Sequence, residues 1–374
     1  MKIKKFLISL IIYLIIFPHI VTATGNQSVD LDAIRTSLVV NSPCALLIEK
    51  ETGDILYQRN ANTKMFPAST VKMMTAILTL ENCNLTDITT VSQNAVSSVP
   101  SSYSVADLVP GENLTIQDVL YALLLPSGND AANVLAEHIG GNIDSFATMM
   151  NEKALKIGCL NTNFTNPSGI HNENMYTTAS DLALIAQYAM NIEQFRNFVS
   201  TTTYTLPSTN AYPNSDRVFK NSNHLIHPDS SHHYEYATGI KTGYTDPAGN
   251  CLVASAKKDN IEFIAVILGS TQTNFGDQSK FTDAKTLFKF GFTYYLDYYT
   301  QLSLERNNAL LEIFNVDTEK ILDTNQKPRW GYVLYLIARS TLLIIAIIYF
   351  IYRLVFKIKR YIYNRTHAKY NYRY

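Results

Sequence analysis

The sequence predicts an α+β fold: an antiparallel sheet flanked by helices, with a helical subdomain, plus an apolar segment near each end of the chain. Three observations carry this. Strand-like runs folded about tight turns stand at 44–58 and 250–269. A block of helical patterns fills most of 69–190 between them. The longest apolar runs, 6–17 and 330–356, lie outside both. Strands at both ends of a helical block place the first and last strands side by side, with the helices covering the sheet.

Taken in order, Met1-Lys-Ile-Lys-Lys5, the apolar run 6–17 and the small residues Val21-Thr22-Ala23 have the layout of a secretory signal peptide over 1–24. An uncleaved anchor is the alternative. Residues 26–41 are a polar lead-in with a short helical patch. Residues 44–50 and 55–58 read as strands around Glu51-Thr-Gly-Asp54. A helix is predicted from Ser69 to Leu80, behind Pro67. Another covers 116–125 and is broken by Pro126-Ser-Gly-Asn-Asp130. Further helices cover 131–139, stopped by Gly140-Gly141; 144–157, stopped by Gly158; and 178–190, with Asp181 in its first turn. Residues 201–235 are rich in Pro, Asn, Ser and His and read as strand pieces and loops. Gly239-Ile-Lys-Thr-Gly-Tyr-Thr245 follows, with Lys241 and Thr242 opening an edge strand. A hairpin turns at Lys258-Asp-Asn260, and an amphipathic helix over 280–299 ends the folded unit.

Trp330 stands at one edge of the 330–356 run, and Arg353, Lys357, Lys359 and Arg360 flank the other. That is the pattern of a transmembrane helix with its basic tail, 357–374, in the cytoplasm. Arg339 interrupts the run. It either snorkels to the interface or turns the segment into an amphipathic helix lying flat on the membrane. Both readings leave residues 25–329 outside the cytoplasm.

The 374 residues carry no net formal charge and are 47% hydrophobic, ample for a large core. Charge balance argues against nucleic acid as a partner. Cys44, Cys83, Cys159 and Cys251 permit two disulfides or stand as buried thiols, and without a Cys-x-x-Cys no zinc site is expected. His171, His224, His227, His232 and His233 show no His-Glu-x-x-His spacing and read as loop residues. No metal or cofactor is expected.

The chemistry converges on Pro67-Ala-Ser-Thr-Val-Lys72. Ser69 and Lys72, at i and i+3 of a helix, share one face. A serine hydroxyl needs a base to become a nucleophile, and a lysine amine becomes one when burial or a nearby cation lowers its pKa. A helix start also favours developing negative charge. Alone, this pattern is equally that of a capping serine and a solvated lysine. Two further patterns follow in order: Ser127-Gly128-Asn129 and Lys241-Thr242-Gly243. Such a trio marks penicillin-interacting serine enzymes.

With the flanking words Phe66-Pro-Ala-Ser-Thr-Val-Lys72, Leu125-Pro-Ser-Gly-Asn-Asp-Ala131, Asn166-Pro-Ser-Gly-Ile170 and Gly239-Ile-Lys-Thr-Gly-Tyr-Thr245, the chain resembles the low-molecular-mass penicillin-binding proteins over about residues 30–300. These are the DacA-like serine D-alanyl-D-alanine carboxypeptidases, with a β-lactamase/transpeptidase-like fold. The resemblance implies Ser69 as nucleophile, Lys72 as base and Ser127 as proton relay toward the leaving amine. Asn129 holds Lys72 or the substrate amide, and Lys241 and Thr242 recognise the terminal carboxylate. Gly243 admits substrate to the backbone, and the N–H groups of Ser69 and Tyr244 form the oxyanion hole. It also implies peptidoglycan stem peptides ending in D-Ala-D-Ala as substrate and β-lactams as inhibitors.

The implied plan is a signal peptide (1–24), a catalytic domain (25–300), a linker (301–329), a transmembrane helix (330–356) and a cytoplasmic tail at the cell membrane. The linker is too short for the extra β-rich domain many of these proteins carry. A D,D-endopeptidase, a β-lactamase and a catalytically silent wall-binding protein are the alternatives. Against the second, Ser-Gly-Asn replaces Ser-Asp-Asn and no deacylating glutamate is evident.

Overall fold

The structure is a computed structural model and describes residues 30–270, 279–313, 349 and 353. The chain divides into two units, and the one holding the site spans Asp30–Leu296. In it a short helix α1 (Leu31–Ser37) leads into a hairpin, β1 (Cys44–Glu49) and β2 (Ile55–Arg59). A 3-10 turn (Ala68–Val71) runs into α2 (Lys72–Asn82). A small ribbon, β3 (Ile88–Thr90) with β4 (Asn113–Thr115), brackets α3 (Gln93–Ser97). Then come α4 (Ile116–Leu124), α5 (Asn129–Gly140), α6 (Ile143–Ile157), α7 (Ala179–Ala189) and α8 (Glu193–Ser200). A second ribbon, β5 (Thr203–Leu206) with β6 (Arg217–Lys220), precedes β7 (Ala237–Thr245), β8 (Gly249–Lys258), β9 (Ile261–Ser270) and α9 (Ser279–Ile313).

The main sheet is antiparallel in the order β2-β1-β9-β8-β7. The first strand therefore pairs with the last, Cys44 opposite Leu268 and Glu49 opposite Phe263. Every residue of β1 is buried, which is why 44–48 reads as an unbroken apolar run rather than an alternating one. Helix boundaries follow their punctuation. Thr115 and Asp118 close a capping box on α4. Gly141 and Gly158 end α5 and α6 in the left-handed conformation, at φ 75° and 105°. Residues 72–79 of helix α2 are all buried, Met73, Met74, Ala76 and Ile77 wholly so, and only its last turn meets solvent. It lies inside the molecule against α4, α5, α6, α7 and α8.

Several expectations change. Ser69 sits in the 3-10 turn, three residues before the bond pattern becomes α-helical at Lys72. Helix α5 begins at Asn129 rather than at 131. Helix α8 has a strongly one-sided pattern, with Phe195, Phe198 and Val199 buried, and its existence was not read from the sequence. Lys241 and Thr242 lie in the middle of β7, not at its start, although β7 is the sheet edge that was expected. The final helix continues through Ile313, so residues 301–313 are helical where a linker was expected. Residues 1–24 and the membrane run, apart from Tyr349 and Arg353, lie outside the described residues. Among the described residues no helix is long and apolar enough to cross a membrane.

Candidate active site

Four chain segments meet between the helical block and the β7 edge. The first is the 3-10 turn. Ala68 takes φ +48°, an uncommon conformation for a side-chain-bearing residue. Gly169 and Gly243 flank it. A Cβ added at Gly169 would stand 2.0 Å from the Ala68 carbonyl oxygen, and one at Gly243 would stand 2.9 Å from the Ser69 nitrogen. Both glycines are there because backbone passes against backbone.

Lys72 begins α2 and is fully buried. Its Nζ lies 2.9 Å from Ser69 Oγ, 2.8 Å from Asn129 Oδ1 and 2.6 Å from the Ser168 carbonyl oxygen. Burial first, and then the charge of Lys241, hold its pKa well below the ordinary lysine value. Nζ donates toward all three oxygens. Of these, Asn129 Oδ1 and the Ser168 carbonyl can only accept, so on loss of a proton the lone pair of Nζ falls to the one partner that carries a hydrogen, the Ser69 hydroxyl.

The second segment is the break between α4 and α5. Ser127 takes φ +66°, and its Oγ is buried without a hydrogen-bond partner among the described residues. Ser127 lines the cleft on that strained backbone. Asn129, the first residue of α5, also donates from Nδ2 to the Ser104 carbonyl at 2.8 Å. Next to it Asp130 is buried and accepts from the backbone of Ala106 at 2.9 Å and Leu108 at 3.1 Å. Asp130 thereby pins the third segment, the loop carrying Ser102, Tyr103 and Ser104 into the cleft.

The fourth segment is β7. It pairs with β8 on one side, Lys241 opposite Val253 and Gly243 opposite Cys251, and is free on the other. Thr242 Oγ1 and Ser222 Oγ lie 2.6 Å apart. Lys241 Nζ is buried and has no hydrogen-bond partner among the described residues. Burial, and then Lys280, bring its pKa down to about 7. Lys280, near the start of α9, donates to Asn250 Oδ1 at 3.0 Å, and burial lowers it to about 8.

These segments enclose a cleft of about 290 Å³ whose lining includes Ser69, Ser127, Asn129, Thr242, Gly243, Tyr244 and Lys280. Of the residues expected from the sequence, Lys72 and Lys241 lie behind the wall rather than on it. The family model for D-alanyl-D-alanine carboxypeptidases (peptidase family S11) matches residues 32–272. The chain belongs to this family.

It is thus a serine hydrolase of the D-Ala-D-Ala carboxypeptidase kind. It is 36% identical over 276 residues to the carboxypeptidase DacF of Bacillus subtilis, covering 72% of this chain and 67% of that protein. It is 36% identical over 253 residues to a D-alanyl-D-alanine carboxypeptidase of Streptomyces sp. (strain K15), covering 64% of this chain and 84% of that one. The crystal structure of the Streptomyces K15 DD-transpeptidase superposes with a TM-score of 0.62 at 33% identity, covering 68% of this chain and 98% of that chain.

Sequence reasoning missed several groups at this site. Ser168 contributes a backbone carbonyl, and only the word Asn166-Pro-Ser-Gly-Ile170 hinted that its loop mattered. Ser104, Asp130, Ser222 and Lys280 gave no signal, because each acts through a partner distant in sequence. His224 stacks on the Phe281 ring at 5.4 Å, His232 lies 4.9 Å from the same ring, and His227 stands edge-on to His224. Among the described residues no cluster of three potential metal ligands occurs. All four cysteines are free thiols, and Cys44, Cys159 and Cys251 are buried.

Proposed function

We propose that this cleft removes the terminal D-alanine from peptidoglycan stem peptides by two acyl transfers through Ser69. The observation that carries the roles is the buried Lys72 amine, 2.9 Å from Ser69 Oγ and with its other two partners able only to accept. As Ser69 Oγ bonds to the carbonyl carbon, its proton passes to Lys72 Nζ. The negative charge formed on the carbonyl oxygen is held by the N–H groups of Ser69 and Tyr244, each donor contributing about 3 kcal/mol. The C–N bond then breaks. The leaving D-alanine amine takes a proton from Ser127 Oγ, which is replenished from Lys72 through the Asn129-lined cleft. Water, deprotonated by Lys72, next attacks the acyl-Ser69 ester and regenerates the hydroxyl. The terminal carboxylate lies against Thr242, with the Lys241 amine next to it along β7. A β-lactam presents the same carbonyl and carboxylate and acylates Ser69.

The enzyme works outside the cytoplasm at the cell membrane. The layout of residues 1–24 and 330–374 supports this, as does the location of peptidoglycan itself. Mass spectrometry after penicillin treatment tests the chemistry: one adduct on Ser69, absent in a folded Ser69→Ala variant that also loses D-alanine release, is the expected result. An adduct elsewhere, or turnover surviving the substitution, overturns it.

A further inference from the structure

Two hydroxyls stand together in the cleft. Ser222 Oγ and Thr242 Oγ1 lie 2.6 Å apart, and both residues line the cavity. Among the described residues each hydroxyl bonds only to the other. The pair owns two protons and uses one between its oxygens, so one O–H is left over beside the cavity. The main chain at Ser222 is fixed without help from its side chain. Its N–H bonds the Leu125 carbonyl at 3.0 Å, directly before Pro126 and Ser127. Asn221 is buried; its N–H reaches the Thr202 carbonyl at 2.8 Å and its Nδ2 donates to the Thr201 carbonyl at 3.0 Å. Asn221 Oδ1 accepts from the Asn223 N–H at 2.9 Å, and Asn223 Oδ1 accepts from the Leu225 N–H at 3.2 Å. None of these bonds involves Ser222 Oγ. The hydroxyl is not what holds its own loop, and its contact is with Thr242.

We propose that Ser222 is a positioning residue that aims the Thr242 hydroxyl at the terminal carboxylate of the substrate. The inference rests on the reaction proposed above and deepens it. Thr242 sits in mid-strand, paired opposite Leu252, and a β-branched side chain is stiff at χ1. Its oxygen is therefore placed by the backbone, and only the direction of its hydrogen is free. Two directions are open. With Ser222 donating to Thr242 Oγ1, the threonine hydrogen is released to the cleft. With Thr242 donating to Ser222, the threonine turns lone pairs to the cleft instead. A carboxylate only accepts, so its arrival beside Thr242 selects the first direction. The Ser222 O–H, the Thr242 O–H and the carboxylate then form a chain in which each bond polarises the next. The chain ends on a charged acceptor, where a hydrogen bond is strongest. Without Ser222 Oγ, the threonine hydrogen has no guide and is ordered only at the expense of binding. The carboxylate stays charged from the bound peptide to the transition state, so the contact acts on both alike and appears in KM.

The test compares the full chain with its Ser222→Ala and Ser222→Thr variants. On a peptide ending in D-Ala-D-Ala, Ser222→Ala is expected to lose about tenfold in kcat/KM, most of it in KM, the scale of one hydrogen bond to a charged group. Ser222→Thr keeps a hydroxyl and stays within about threefold of the wild type. Acylation of Ser69 by penicillin and by penicillin methyl ester, followed as adduct formation by mass spectrometry, separates this role from a structural one. The ester keeps the reacting carbonyl and lacks the carboxylate charge. Ser222→Ala slows acylation by the acid about tenfold and by the ester about twofold or less. An unchanged KM on the peptide, equal slowing of acid and ester, or Ser222→Thr as impaired as Ser222→Ala overturns the positioning proposal alone. Absence of a Ser69 adduct from penicillin in the wild type instead overturns the reading on which it rests.

Discussion

Lys241 is the residue at which function and stability are most opposed, and Lys241→Met separates them. Lys241 is 1% exposed, and its amine has no hydrogen-bond partner among the described residues. Burial, helped by Lys280, brings its pKa from 10.5 to about 7. A displacement of roughly 3.5 pH units at 1.36 kcal/mol each is ~5 kcal/mol of disfavour for the charged amine in the fold. At pH 7, where about half the folded molecules have shed the proton, ~4 kcal/mol of it remains. Local relaxation and water entry reduce what a mutation recovers, so about 1–3 kcal/mol of stabilisation is expected from the apolar isostere. For a unit of this size that raises the melting midpoint by about 3–10 °C.

The pH dependence identifies the cause. Between the folded value near 7 and the unfolded value of 10.5, the unfolded chain binds more protons at this position. Wild-type stability therefore climbs with pH across that window. Methionine does not titrate, so its advantage is full below about pH 7 and vanishes near pH 10.5. Thermal midpoints of both proteins, taken in steps from about pH 6 to pH 10, read this directly, while D-alanine release is lost in the variant. A variant no more stable than wild type, or one whose gain does not shrink as pH rises, refutes the reasoning.

Three further outcomes are expected. Gly243→Ala puts a methyl 2.9 Å from the Ser69 nitrogen, so one oxyanion donor shifts and kcat falls about 10²-fold with KM little changed; an unaffected kcat refutes the close approach. Asn129→Ala removes the Oδ1 partner of Lys72 and the tie to Ser104, lowering kcat/KM about 10²-fold and stability by about 1–3 kcal/mol in urea titration. Lys280→Met removes the like charge beside Lys241, so the alkaline limb of the kcat/KM profile moves up by on the order of one pH unit; a fixed limb means the two amines do not interact.

How much of this was legible in the sequence depends on the kind of signal each residue leaves. Left-handed glycines act within one turn, so Gly141 and Gly158 marked helix ends directly. Helix α8 was missed because its apolar positions are few and it follows α7 after a break of only three residues. The mid-strand position of Lys241 was missed because Ala237–Ile240 carry no strong strand pattern and take their place through pairing with β8.

The sequence by itself determined the sheet's terminal strand pairing in outline, the helical block between, and the identity and order of the eight residues Ser69, Lys72, Ser127, Asn129 and Lys241–Tyr244. Residue type and local spacing decide those, and both are written along the chain. Only the tertiary structure decided that Lys72 is buried against Ser69, Asn129 and Ser168, since the Ser168 carbonyl arrives from a distant loop. It alone decided that Lys241 is buried without a hydrogen-bond partner among the described residues and that Lys280 and Asp246 line the same cleft. Protonation state and cleft polarity are set by which groups share a low-dielectric space, and no property of the isolated sequence neighbours carries that information.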